Sequence, residues 1–489
     1  MLFNSFQFLF LFLPATLLGA LLLERWSRKA FILWLIGASV VFYGAWNPRF
    51  LWILCLSLVL NYAIALLMER SAGNARRIWL VIGLVWNLGL LGYFKYTNFL
   101  GTTIEELTGH DPGWPEVILP IGISFFTFQK IAFIVDSYRG QTASLRSFGR
   151  FALFVLFFPQ LIAGPIVHHS EFIPQLDRRR GDRTSDISIG LVVLVLGLIK
   201  KLYIADTLAL PANIVFNAAA AHGHPGMADA WTGALAYSAQ IYFDFSAYSD
   251  MAIGLGRMFG FDLPINFTSP YKAASIVDFW RRWHITLSRF LRDYLYIPLG
   301  GNRRGENRRR FNLLATMVLG GLWHGAGWSF VLWGFLHGIY LLIAHAFSAL
   351  PAGRRMGKSA WWPLAARVLT FLAVVIAWVP FRAADMGTTF RMWQGMFGWA
   401  GAGGMELLRT AHLVPVAGAF AIAFLAPNIY EIFAWERLGL PSPGYPATKA
   451  KPLLWKWRWT PVYGVATGIV FAAAVLKLND VSPFIYFRF

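Results

Sequence analysis

The chain has 489 residues, of which 57% are hydrophobic and only 14% charged, a balance outside the range of soluble globular domains. Its formal net charge is +19, from 43 Lys and Arg against 24 Asp and Glu. The basic residues cluster in short loops between apolar runs, which is how a polytopic protein is oriented in a membrane. With no binding motif beside them, no nucleic-acid partner is expected. The single cysteine, Cys55, lies in the run FLWILCLSLVL. It allows no intramolecular disulfide and reads as a small core residue rather than a nucleophile.

The N-terminal run MLFNSFQFLFLFLPATLLGALLL has no Lys or Arg ahead of it. It lacks the basic start of a secretory signal and is expected to remain as a first span, 6–23. Further spans are expected at 30–46, 50–68, 78–96 and 117–137, each near the length that crosses a bilayer. The loops ERWSRK, RSAGNARR and 139–150 are basic and expected inside. The loop 97–116 carries Glu105, Glu106, Asp111 and Glu116 with no Lys or Arg, and is expected outside. The run 151–167 is interrupted by Pro159, Gln160, Gly164 and Pro165 and is followed by the basic QLDRRRGDR. A re-entrant segment satisfies both facts. Alternation then resumes with spans at 187–205 and 231–256, and 207–230 between them outside.

The segment 257–310 holds eleven Lys and Arg and is expected as a cytoplasmic, amphipathic excursion. Segments 311–326 and 328–347 form a hairpin with almost no loop. Spans at 365–382, 411–428 and 460–477 complete the chain, with LPSPGYPATKAKP as a cytoplasmic linker and both termini outside. The expected fold is all-α: one polytopic membrane domain over 1–489, with roughly twelve spans plus a re-entrant piece. No internal repeat is apparent.

Four stretches carry polar groups where apolar ones would serve. In GGLWHGAGWSF, His324 lies among glycines that permit a broken helix, with Trp323 and Trp328 as interfacial anchors. An ionisable group at that depth is a functional candidate, although a hairpin tip whose histidine bonds a carbonyl has equal claim. In DFWRRWHITLSRFLRDYLYIPLGGNRRG, Asp278 is suited to cap a helix starting at Phe279. On that helix Trp280, His284, Leu287 and Leu291 would share an apolar face. Its arginines suit either lipid phosphates or a phosphorylated carrier. In QIYFDFSAYSDMAIG, Asp244 needs a buried partner, for which Lys200 or Lys201 is available. Gln129, Lys130 and Asp136 pose the same question in SFFTFQKIAFIVDSYRG. Serine-hydrolase, zinc-protease and paired-cysteine motifs are absent from the sequence. His168 and His169 are adjacent and so do not share a helix face, and no metal site is assigned to them.

Together these stretches resemble the membrane-bound O-acyltransferase superfamily, and most of all its bacterial alginate O-acetyltransferase membrane subunits. The resemblance rests on LGYFKYTNF, LPIGISFFTFQKIAFIVDSYRG, FFPQLIAGPI, KKLYIADTLA, IYFDFSAYSDMAIGLGRMFGF, NFTSPY, the 278–305 stretch, LGGLWHGAGWSFVLWGFLHG and WVPFRA, in that order along the chain. It implies an inner-membrane enzyme with a transmembrane tunnel, His324 as the catalytic residue and His284 as its cytoplasmic-side partner. The implied donor is a thioester presented from the cytoplasm, acetyl-CoA in this branch, with no metal. The implied acceptor is an exported polysaccharide, reached with the help of a periplasmic acetyltransferase. On that reading His324 takes a proton from the acceptor hydroxyl, and His284 orients the thioester or protonates the leaving thiolate. Arg281, Arg282 and Arg289 would hold the donor's phosphates. The chain departs from the family at His168 and His169, where basic or aromatic residues are more usual. Two other readings keep a claim: a non-enzymatic transporter or polymer-export channel, and the same enzyme class acting on teichoic acid or peptidoglycan.

Overall fold

The structure is a computed structural model that describes residues 1–141, 147–178, 183–399, 401, 403, 406–433, 460–478 and 482–485. Helices are its only regular elements among the described residues. Six are long and apolar enough to cross a membrane: Gln7–Trp26, Pro48–Glu69, Gly73–Thr108, Arg183–Ala220, Trp328–Ala349 and Trp362–Arg382. The expected linker at 440–452 lies outside the described residues.

The chain divides into two compact units. The first comprises Met1–Leu198, Tyr248–Ile265 and Phe433–Phe487. Its centre is aromatic: Phe8, Phe12, Phe42 and Phe158 interlock at ring separations of 5.3–6.1 Å. The interrupted run is two short helices, Phe148–Leu156 and Phe158–Leu161, broken at Phe157, as its prolines and glycines require. The helix expected at 78–96 instead runs from Gly73 to Thr108 and closes on Gly109 at φ +70°, a left-handed cap that suits glycine.

Several polar groups buried in this unit have partners. Lys130 meets Ser57 and lies over the Phe126 ring. Asp136 faces Arg139 at 3.5 Å and the Nδ1 of His169 at 3.4 Å. His168 caps the short helix His169–Phe172. Each of these groups thus has a local structural contact.

The second unit comprises Ile199–Ala247 and Asn266–Ile432, with Arg488–Phe489. The region expected as an outside segment after 207 is helical from Asp206 to Ala220. It follows a π-helical stretch, Lys200–Ala205. In a π-turn residues five apart face one another, and this brings Asp206 beside Lys201. The Lys201 Nζ lies 2.8 Å from Asp206 Oδ1 and 2.6 Å from Asp244 Oδ1. The buried partner expected for Asp244 is therefore Lys201. The helices Glu306–His324 and Trp328–Ala349 form the expected tight hairpin. Their approach depends on Gly334, where a Cβ would sit 2.4 Å from the Met317 carbonyl oxygen.

Removing Lys201 takes the shared cation from two carboxylates, so Lys201→Met should destabilise the protein by about 3–5 kcal/mol. The double variant with Asp244→Asn should be the more stable of the two in detergent thermal unfolding. Strictly additive losses would contradict a coupled ion pair.

Candidate functional site

His284 and His324 both belong to the second unit. Between Ser275 and Arg292 the structure departs from the single helix expected there. Ser275, not Asp278, caps the first helix by accepting the Asp278 N–H, and that helix ends after Ile276–Arg282. A second helix begins at Ile285. His284 stands at the junction with φ +43° and ψ +53°, a left-handed conformation that is unfavourable for a side chain with a Cβ.

The segment 266–268 holds the junction on both sides. The Ile285 N–H donates to the Asn266 carbonyl at 3.0 Å, and the Thr268 N–H donates to the Arg282 carbonyl at 3.0 Å. The Asn266 side chain reaches the ring itself, with Oδ1 3.1 Å from His284 Nδ1. The same oxygen accepts from Thr286 Oγ1 at 3.0 Å and from the Thr286 N–H at 3.3 Å. The His284 ring is fully buried against Phe245, 4.7 Å away edge to face. Burial pushes its pKa down from 6.5 to about 3, because a charged imidazole there would lose its hydration.

His324 is the last residue of the helix Glu306–His324. The chain turns at once through Gly325, where a Cβ would lie 2.1 Å from the Phe330 ring. Three aromatic rings enclose the imidazole: Trp323 at 4.9 Å, Trp333 at 5.0 Å and Phe381 at 5.2 Å. Trp323, expected at an interface, is instead buried, whereas Trp328 is exposed. The ring centroids of His284 and His324 are 6.2 Å apart. That is about a fifth of a ~30 Å hydrocarbon core. The two histidines thus lie close together, although the sequence sets His284 in a cytoplasmic excursion and His324 at the tip of a membrane hairpin.

The three arginines differ. Arg282 is tied to Asp278 at 2.9 Å and to the Thr268 carbonyl at 3.4 Å. Arg281 is exposed, and Arg289 is half-buried in the last turn of Ile285–Leu291. His337 packs against Trp333 at 4.8 Å and Trp280 at 5.2 Å. Asn266, Thr286, Trp333 and Phe381 were not singled out from the sequence. The NFTSPY motif contained the first, but its role needs the chain reversal that returns it to His284. No group of three or more His, Cys, Asp or Glu that could hold a metal occurs among the described residues.

Several helices long and apolar enough to cross a membrane, with two buried imidazoles behind a helix break, define a multi-pass membrane protein with a candidate site in its interior. The chain belongs to the membrane-bound O-acyltransferase family, whose model matches residues 40–378, and it is an O-acyltransferase. It is 40% identical to the probable alginate O-acetylase AlgI of Pseudomonas aeruginosa, over the full length of both proteins. It is 43% identical to the peptidoglycan O-acetyltransferase of Helicobacter pylori, over 84% of this chain and 82% of that protein. A teichoic acid D-alanyltransferase of Streptococcus thermophilus is 29% identical over 46% of this chain and 57% of its own length. Family membership decides for the enzyme over the transporter.

The depressed pKa of His284 predicts an acid-sensitivity. Between pH 6.5 and about 3 the unfolded imidazole binds a proton that the folded one refuses, so stability falls as pH falls through that window. His284→Gln should therefore lose less stability than the native chain between pH 7 and about pH 4.5 in detergent thermal unfolding. Equal losses would contradict a buried neutral ring.

Proposed function

We propose that this chain takes acetyl groups from acetyl-CoA at the cytoplasmic face of the bacterial inner membrane and passes them on for O-acetylation of an exported polysaccharide such as alginate. The observation that carries the reading is the 6.2 Å approach of two buried imidazoles, His284 and His324, inside one aromatic enclosure. Full-length likeness to a probable alginate O-acetylase supports the substrate class. The H. pylori relative favours a second acceptor, peptidoglycan, for the same chemistry.

In this reading the whole of 1–489 works as one membrane domain with roughly twelve spans, a re-entrant segment at 151–167 and a tunnel that meets the two histidines. Both termini are periplasmic. Arg281, Arg282 and Arg289 hold the donor's phosphates, with Arg281 the most available of the three because Arg282 is already paired. A periplasmic acetyltransferase completes delivery to the sugar.

His324 acts as general base. It takes the proton of the acceptor hydroxyl, the oxygen attacks the thioester carbonyl, and the C–S bond breaks with its electron pair on sulfur. The nucleophile belongs to the acceptor, so no serine or cysteine of the chain is needed. His284 orients the thioester or returns a proton to the thiolate.

In a strain lacking this chain, the native protein should restore ester-linked acetyl on exported or wall polysaccharide, read by proton NMR. His324→Ala, present at the same level in the membrane, should restore about a hundredfold less. Equal restoration would remove His324 from the mechanism.

A further inference from the structure

Resting on the proposed acyl-transfer reading, we infer that Asn266 is a positioning residue that locks His284 in its Nδ1–H tautomer, so that Nε2 is the nitrogen that carries the lone pair. A backbone N–H can only donate, and that of Thr286 points at the Asn266 side-chain atom 3.3 Å away. That atom is therefore the amide oxygen and not the NH2. The Thr286 hydroxyl bonds the same oxygen at 3.0 Å. The His284 nitrogen facing it at 3.1 Å must then be a donor. A neutral imidazole has one N–H, and here it is on Nδ1. Complete burial keeps the ring neutral.

The asparagine is itself fixed. It is fully buried, and its own carbonyl is held by the Ile285 N–H on the far side of the left-handed turn. Backbone and side chain of one residue thus set both the conformation and the tautomer of His284. An orienting amide or carboxylate behind an imidazole is a recurrent device where the tautomer decides function.

The tautomer chooses between the two roles open to His284. A neutral ring with a bare Nε2 accepts a hydrogen bond and has no Nε2 proton to give. It positions a donor group in the site and does not protonate the thiolate. The proton balance then closes on His324 alone. His324 takes the acceptor's hydroxyl proton, the new C–O bond forms, the C–S bond breaks, and the same proton passes from His324 to the departing sulfur, which leaves as the thiol.

The test uses the full-length protein in lipid bilayers with 13C,15N-labelled histidine. Solid-state NMR correlates each ring nitrogen with its bonded ring carbons, and subtraction of a His284→Gln spectrum isolates His284. The expected signal is Nδ1–H with a bare Nε2, and an Nε2–H ring overturns the inference. The spectrum needs no turnover, so its outcome stands apart from whether acetyl transfer is the reaction. For the positioning role, Asn266→Ala should lower turnover about tenfold or more and release His284 into a tautomer mixture. Asn266→Asp, which keeps an oxygen in the same place, should recover most of that loss. A turnover within twofold of native in Asn266→Ala, or a loss with the His284 tautomer unchanged, overturns it.

Discussion

His284 has φ +43° and no exposed surface, and the segment Asn266–Thr268 that holds it there is the constraint on which the site depends. Left alone, residues 276–291 have the pattern of one continuous amphipathic helix. Two backbone hydrogen bonds from the preceding segment, at Arg282 and Ile285, break that helix and turn the imidazole inward. The left-handed conformation is unfavourable by about 1–3 kcal/mol for a residue with a Cβ. It persists because four hydrogen bonds over-determine it: the two backbone clamps, the Asn266 bond to the ring and the Ser288 N–H bond to the His284 carbonyl.

Around this fixed ring the second unit builds a low-dielectric enclosure. Trp323, Trp333 and Phe381 surround His324, and Phe245 abuts His284. Aromatic rings exclude water without supplying competing strong hydrogen-bond acceptors around the two imidazoles. The tight hairpin of Glu306–His324 against Trp328–Ala349 brings His324 and Trp333 into the same space, and it depends on the missing side chain at Gly334. A hydroxyl and a thioester brought together here would meet a base in a dry, prearranged setting, where electrostatic and proton-transfer effects are strongest.

Much of this was legible in the sequence because membrane helices have a strong compositional signal. The break at His324 was written in its glycines, and Asp244 announced its need for a cation, which Lys201 meets at 2.6 Å. The errors have physical causes. Residues 278–291 have helical periodicity throughout, and only a tertiary clamp converts them into two helices. Charge in loops reports sidedness, not depth, so it separated His284 from His324 although their rings are neighbours. Trp323 has the composition of an interfacial anchor, but its neighbour His324 is turned into the core and it follows. Asn266 is a short polar residue in a loop, and its importance appears only when the chain returns it to the ring 18 residues later.

The central claim is that His284 and His324 act on one substrate complex. A double-mutant cycle on acetyl transfer tests it most directly, with His284→Ala, His324→Ala and the pair reconstituted in vesicles at matched amounts and supplied with acetyl-CoA. Residues that act as a unit have strongly non-additive effects on rate. The account predicts that the double variant is barely slower than His324→Ala alone. A double variant whose loss is the product of the two single losses would mean that the histidines serve independent steps, and would contradict the account.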